Sequence, residues 1–237
     1  SIFRYLDLAN RLIPGSELHR KVTSVNQSRD IKEGYLTKTK PHIKFTLNED
    51  DRGKLFLNNL GLSPEDRFVC MIVRDSAYKE EFHKWRDWAY HNFRDSAIKT
   101  YNDTAISLAE KGYWVLRMGK KVHKPFKVGN SNVVDYANSS DRSDFLDIWL
   151  MANCYFCIST GTGLDEIARV YRRPAVYVNY LPLQLMVSYD NILNNPKHLV
   201  WKDTKKRLTL SEHLEHAYGR SEDYEKANIK VEDLTAE

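Results

Sequence analysis

Phe68-Val69-Cys70-Met71-Ile72-Val73 is apolar at every position, the pattern of a short strand buried on both faces of a parallel sheet. The same kind of run recurs at Tyr113-Trp114-Val115-Leu116-Arg117, at Val133-Val134-Asp135, at Tyr155-Phe156-Cys157-Ile158 and at Ala175-Val176-Tyr177-Val178. Helical spacing separates these runs. It covers roughly Asp95 to Lys111, closed by Gly112; then Asp144 to Cys154; then Gly163 to Tyr171, followed by Pro174. Strands alternating with helices at this interval predict an α/β fold with a Rossmann-like, doubly wound parallel sheet.

The flanks read differently. Ile2, Phe3, Leu6, Ala9 and Ile13 repeat at helical spacing until Pro14-Gly15. Arg4, Asp7, Asn10 and Arg11 on the other face suit a helix docked on its own protein better than one lying in a membrane. Ile43 to Leu47 alternates like a strand, and Asn48 to Leu62 reads as a helix with an acidic start at Glu49-Asp50-Asp51. Residues 1–64 therefore form a helical N-terminal segment or the remnant of another domain, and residues 65–237 the α/β domain with a C-terminal helical region. That last region holds a strand at His198-Leu199-Val200-Trp201 and a helix opened by Ser211 and Glu212.

At 237 residues the chain can bury a sizeable core without disulfides or metals. Thirty-six Lys and Arg against 32 Asp and Glu are spread along it, far from the basic stripe of a nucleic-acid protein. The sequence shows no apolar run long enough to span a bilayer and no signal-peptide pattern, so cytoplasmic residence is expected, with peripheral attachment to the inner membrane open. Cys154 and Cys157 lead into a strand rather than opening a helix, which makes them buried strand residues rather than a redox pair. His213 and His216 have ligand spacing but no third partner, and read as a solvated helix face.

In a doubly wound sheet ligands sit beyond the carboxyl ends of the strands. Three segments fall there: Arg74-Asp75-Ser76, Arg117 to Lys121, and Ser159-Thr160-Gly161-Thr162-Gly163. The first two offer cations, Arg74, Arg117 and Lys120, and the third offers hydroxyls and bare backbone donors before a helix. Together they suit a diphosphate; the plainer alternative is that the arginines cap strand ends in solvent. Thr162 and Asp165 are placed as a capping-box-like pair. Glu166 stands where a dinucleotide fingerprint needs its third glycine, and no Gly-Lys-Ser/Thr run or Asp-x-Asp triplet occurs. The insert from Phe82 to Phe93 carries five Phe, Trp and Tyr rings in twelve residues, suited to stacking on a sugar or base or to burying its own rings. Asp75, Asp87 and His91 are the proton acceptors there.

These segments, with Val134-Asp135-Tyr136-Ala137-Asn138, Arg142 to Ile148, and Val178 to Leu183, resemble in unbroken order a bacterial glycosyltransferase family of surface polysaccharide synthesis. The resemblance covers roughly residues 40–190. More remotely, the chain is similar to the carboxyl-terminal, donor-binding half of fucosyltransferases and heptosyltransferases of the GT-B fold. The resemblance implies a nucleotide-sugar donor, a glycan acceptor, no cofactor, and an inverting, metal-independent transfer. It implies that Arg74 neutralises the leaving diphosphate, that Ser159 to Gly163 bond its oxygens, and that Tyr136, Ala137 and Asn138 flank the nucleoside. The 65 or so residues before the Phe68 strand are too few for the acceptor half of such an enzyme and lack its strand pattern. A non-catalytic nucleotide- or glycan-binding module is the alternative.

Overall fold

A computed structural model describes residues 2–16, 34–186 and 191–235. Its centre is a six-stranded, all-parallel sheet of β1 (Arg67–Ile72), β2 (Tyr113–Arg117), β3 (Val133–Val134), β4 (Phe156–Ser159), β5 (Ala175–Tyr180) and β6 (Ile192–Pro196). The strand order β3-β2-β1-β4-β5-β6 is that of a Rossmann-like sheet. The chain reverses its direction of winding between β1 and β4, which pair from Val69↔Phe156 to Ile72↔Ser159.

Strand parity divides the core. Phe68, Cys70 and Ile72 of β1 pack on one face with Leu116 and Cys157, and Val69 and Met71 pack on the other with Val115 and Ile158. The first face is covered by α3 (Leu47–Leu60), α6 (Asp144–Asn153) and α7 (Asp165–Val170). The second is covered by α5 (Asn102–Glu110) through Ala105 and Leu108. Each layer thus buries an apolar stripe against a strand face, and the sheet is apolar on both sides because it has no solvent side.

Two more helices, α1 (Ile2–Arg11) and α2 (Tyr35–Lys38), precede α3, and α4 (Ala77–Phe82) follows β1. Helix α3 opens with a full capping box, Thr46 with Glu49, and ends at Gly61. Gly53 faces the Trp149 indole of α6 so closely that a Cβ there would lie 2.1 Å from the ring. Trp149 Nε1 in turn donates to Asp50 Oδ1 at 3.0 Å. This helix, expected in an N-terminal segment separate from residues 65–237, shares the α/β core.

The remainder forms a two-stranded antiparallel sheet of β7 (His198–Trp201) and β8 (Ile229–Glu232), with α8 (Leu210–Glu215) and α9 (Ser221–Lys226) between them in sequence. Several local expectations need correction. Residues 43–46 form no strand, because Thr46 is the N-cap of α3 rather than the middle of a strand. Helix α8 is capped by Thr209, whose side chain and that of Glu212 complete a capping box, so Ser211 lies inside it. The helix read from Asp95 begins as a 3-10 turn, Ile98–Tyr101, before α5. The histidine pair is not a solvated helix face: His213 of α8 is buried, and His216, the C-cap of α8, is half-buried with its ring 5.3 Å from Trp201. Cys70, Cys154 and Cys157 are free and buried.

Candidate functional site: a cationic cleft at the switch point

Beyond the carboxyl ends of β1 and β2 lies a cleft of about 500 Å³, within the usual range for small-molecule sites. Its apolar wall comes from Ile72 and Met118 at the strand tips, with Ile148 of α6 and Ile167 of α7. Its charged rim carries Arg74, Lys79, Lys120 and Lys121 against Asp75 and Asp147. Tyr78, 41% exposed, presents a ring to the same space.

The two acids of the rim are already engaged. Asp75 Oδ1 accepts from the Ala77 amide at 3.1 Å and Oδ2 from the His123 amide at 3.0 Å, which ties the loop after β2 to the start of α4. Asp147 is ion-paired with Arg142. Burial nonetheless raises the Asp147 pKa. Lys120 reaches Asp144 at 2.9 Å and Lys121 reaches Glu81 at 3.8 Å, exposed pairs of small worth that a stronger anion can displace.

Arg74 is held more firmly. Its Nε donates to Asp95 Oδ1 at 2.9 Å, its amide donates to Thr160 Oγ1 at 2.9 Å, and its carbonyl accepts from the Ser96 amide at 3.0 Å. Beside it Lys79 has no carboxylate within ion-pair distance among the described residues; its Nζ lies 4.2 Å from the centre of the Trp88 ring. Burial, then the charges of Arg74 and Arg94, pull the Lys79 pKa down to about 8. Arg94 is shifted the same way, by burial and by Arg74. His91 is driven down to about 4 by burial and then by Lys79, Arg74, Arg94 and Arg86. Lys79, Arg94 and His91 are thus each pushed toward the neutral form by burial and by neighbouring cations, a positive field that an anion relieves.

The Ser/Thr/Gly loop is organised from within. Ser159 Oγ donates to Asp165 Oδ2 at 2.5 Å and accepts from the Gly161 amide at 3.0 Å. The Thr162 amide donates to the same Asp165 oxygen at 3.0 Å, and Thr162 Oγ1 accepts from the Leu164 amide at 3.3 Å. The capping pair therefore forms on its acidic half only, and α7 starts at Asp165, two residues later than expected, with Leu164 as its N-cap and no side-chain cap. Arg94 closes the arrangement from the aromatic insert by donating Nη2 to the Gly161 carbonyl at 3.1 Å. Gly161 has a φ of 84° and would place a Cβ 2.2 Å from the Tyr180 ring. Its smallness serves this packing.

Of the residues singled out in the sequence, Arg74, Asp75, Lys120, Thr162 and Gly163 line the cleft. Ser159, Thr160 and Gly161 form the support behind it. Arg117 does not reach it. It is fully buried on the opposite face of β2 from Met118 and pairs with Asp135 at 3.1 Å, so it neither caps a strand in solvent nor meets a ligand in the cleft. Tyr136 is buried against Phe56 with its hydroxyl bonded to the Ser143 backbone, and Asn138 donates to Asp135 at 2.7 Å; neither lines the cleft. His91 lies among Tyr90, Trp88 and Phe93, with a buried Nδ1 that has no hydrogen-bond partner. Lys79 and Arg94 were not anticipated. The signal available was their spacing, five residues after Arg74 in Lys79 and one before Asp95 in Arg94, in an insert that folds back over the strand end.

Fold and cleft together define a Rossmann-like α/β protein with a cation-rimmed cleft at its topological switch point. No protein-family model matches the chain, and no curated protein matches it. Among solved structures it is similar to the E. coli ADP-heptose LPS heptosyltransferase II, at 15% identity and a TM-score of 0.43, over 65% of this chain and 44% of that one. The chain thus spans less than half the length of that protein. Among the described residues no helix is long and apolar enough to cross a membrane, and no group of three His, Cys, Asp or Glu side chains could hold a metal ion.

Proposed function

We propose that the cleft binds the diphosphate of a nucleotide-sugar and that the chain is the donor-binding part of a glycosyltransferase acting on a glycan acceptor in bacterial surface polysaccharide synthesis. The observation that carries this reading is the gathering of Arg74, Lys79, Lys120 and Lys121 on one cleft, with Lys79 lacking an ion-pair partner among the described residues, at the place where such sheets hold ligands. Arg74 and Lys79 meet the phosphates, Thr162 and Gly163 border them from the other side, and the ring of Tyr78 with the apolar wall receives the nucleoside.

In the reaction the acceptor hydroxyl oxygen bonds to the anomeric carbon from the face opposite the leaving group, which inverts the configuration. The bond from that carbon to the diphosphate oxygen breaks, and its electron pair leaves on the diphosphate. Arg74, Lys79 and Lys120 stabilise that charge, the role a divalent cation fills in other transferases. The acceptor's proton passes to a carboxylate or imidazole.

A second reading, a binding module without transfer, is favoured by a specific observation. Both Asp75 oxygens are occupied by backbone amides, and His91, neutral but enclosed by rings, lies off the cleft.

The test is calorimetric titration of pyrophosphate, nucleoside diphosphates and bare nucleosides into wild type and Arg74→Ala. Charge-assisted hydrogen bonds are worth about 1.5–3 kcal/mol each, so the variant should lose tenfold or more for every diphosphate and little for the nucleoside. Equal loss for both, or none for either, removes Arg74 from the site. Hydrolysis or transfer of the bound nucleotide-sugar then separates the two readings.

A further inference from the structure

Next to the cleft the aromatic insert encloses a second pocket of about 340 Å³, and the only residue on the walls of both is Lys79. A volume at the low end of ligand sites fits one small ring. Around it stand Lys84, Arg86, Glu80, Asp87, His83 and Asn92. Glu80 accepts from Ser76 Oγ at 2.5 Å and meets His123 Nε2 at 3.2 Å, and Asp87 Oδ1 accepts from the Ala89 amide at 2.8 Å. Lys79 and Arg86 lie on ring faces, Arg86 at 4.8 Å from the centre of Tyr90, and among the described residues neither these two nor Lys84 has a carboxylate within 4 Å. Trp88 already carries Lys79 on its ring, with Tyr90 stacked alongside at 6.0 Å. Recognition here is therefore polar and electrostatic, with His83 and Asn92 suited to ring hydroxyls and the cations to a negative group.

We propose that this pocket seats a sugar ring bearing a carboxylate, with Lys79 bridging that carboxylate to the diphosphate in the cleft. The proposal rests on the reading of the cleft as a diphosphate site and names the substrate class, a uronic or similarly acidic sugar, either the donor's or the acceptor's.

The experiment uses the full chain. Pyrophosphate is titrated first, to test the cleft without assuming a base. At saturating pyrophosphate, methyl glucuronide is compared with methyl glucoside, the acceptor arm; without it, UDP-glucuronate is compared with UDP-glucose, the donor arm. The acidic member of one pair should bind at least tenfold tighter. In the Lys84→Gln/Arg86→Gln double variant, at two exposed positions outside the cleft, that preference should fall below threefold while pyrophosphate affinity is unchanged. Pyrophosphate binding with no acidic preference in either arm, or with a preference that the double variant retains, overturns the proposal and spares the cleft reading. Absence of pyrophosphate binding overturns both.

Discussion

Gly161→Ala is the sharpest probe of the loop. At a φ of 84° an alanine is strained by about 1–2 kcal/mol in the left-handed region. Its Cβ would also stand 2.2 Å from Tyr180 Cε2 and 2.6 Å from Cδ2, a separation no packed pair tolerates. Tyr180 cannot turn aside freely, because its hydroxyl donates to the Leu185 carbonyl at 2.9 Å and its ring is buried beside Tyr177. Overpacking of this kind costs about 1–3 kcal/mol, for a total of about 2–5 kcal/mol. For a domain of this size that is roughly 4–20 °C in melting temperature. Gly163→Ala is the internal control: nothing lies within 4 Å of its Cβ position, so it should melt with wild type. Urea denaturation of wild type, both single variants, Tyr180→Ala and Gly161→Ala/Tyr180→Ala isolates the contact. The double variant should recover the steric share and leave the backbone share. If Gly161→Ala unfolds at the wild-type urea concentration, or if its loss simply adds to that of Tyr180→Ala, the contact does not govern this glycine.

Three further outcomes are expected. Burial raises the Asp165 pKa from its ordinary 3.8 to about 6, so between these values the folded state holds a proton that the unfolded state has released. Stability should therefore fall as pH rises from 4 to 6, by about 3 kcal/mol from this group, a slope that Asp165→Asn should remove; an unchanged slope in pH-dependent urea melts would refute it. His91 should remain neutral until the pH nears 4, and pyrophosphate should raise that value by neutralising Lys79, Arg74 and Arg94; an NMR titration of the ring that does not move on adding the anion refutes the shared field. Nucleotide-sugar binding and any turnover should survive EDTA, and loss on chelation with rescue by magnesium or manganese would sink the cation-only mechanism.

The parts of the fold legible in the sequence were those with one physical cause. β1 and β4 are apolar because both faces of the sheet are covered, and α6 announces itself through Ser143, whose side chain caps it, and a long apolar stripe. β6 and β8 were invisible for the opposite reason. Ile192-Leu193-Asn194-Asn195-Pro196 is an edge strand with alternate positions exposed, and Ile229-Lys230-Val231-Glu232 buries one face against a small cluster, so neither makes an apolar run. At the cleft, the strand ends carry Arg74 and Lys120 to its rim, since topology alone brings residues there. Arg117 went astray through parity: it shares a face with Val115, and the cleft lies on the face of Leu116 and Met118. Lys79 and Arg94 depend on how the insert folds back, which no periodicity encodes.

Arg74 is leashed from far along the chain. Its partner Asp95 has its carbonyl bonded by Lys197 Nζ at 2.5 Å, and Lys197, almost wholly buried, pairs at 2.7 Å with Asp233 just beyond β8. Asp233 also accepts from Ser96 Oγ and the Ala97 amide, each at 3.3 Å. During synthesis, then, the six strands can all have left the ribosome while the principal arginine of the cleft still lacks its final tether. A chain cut before residue 233 should therefore keep all six strands of the parallel sheet yet lose the tie that holds the Asp95 segment, and with it Arg74, at the cleft.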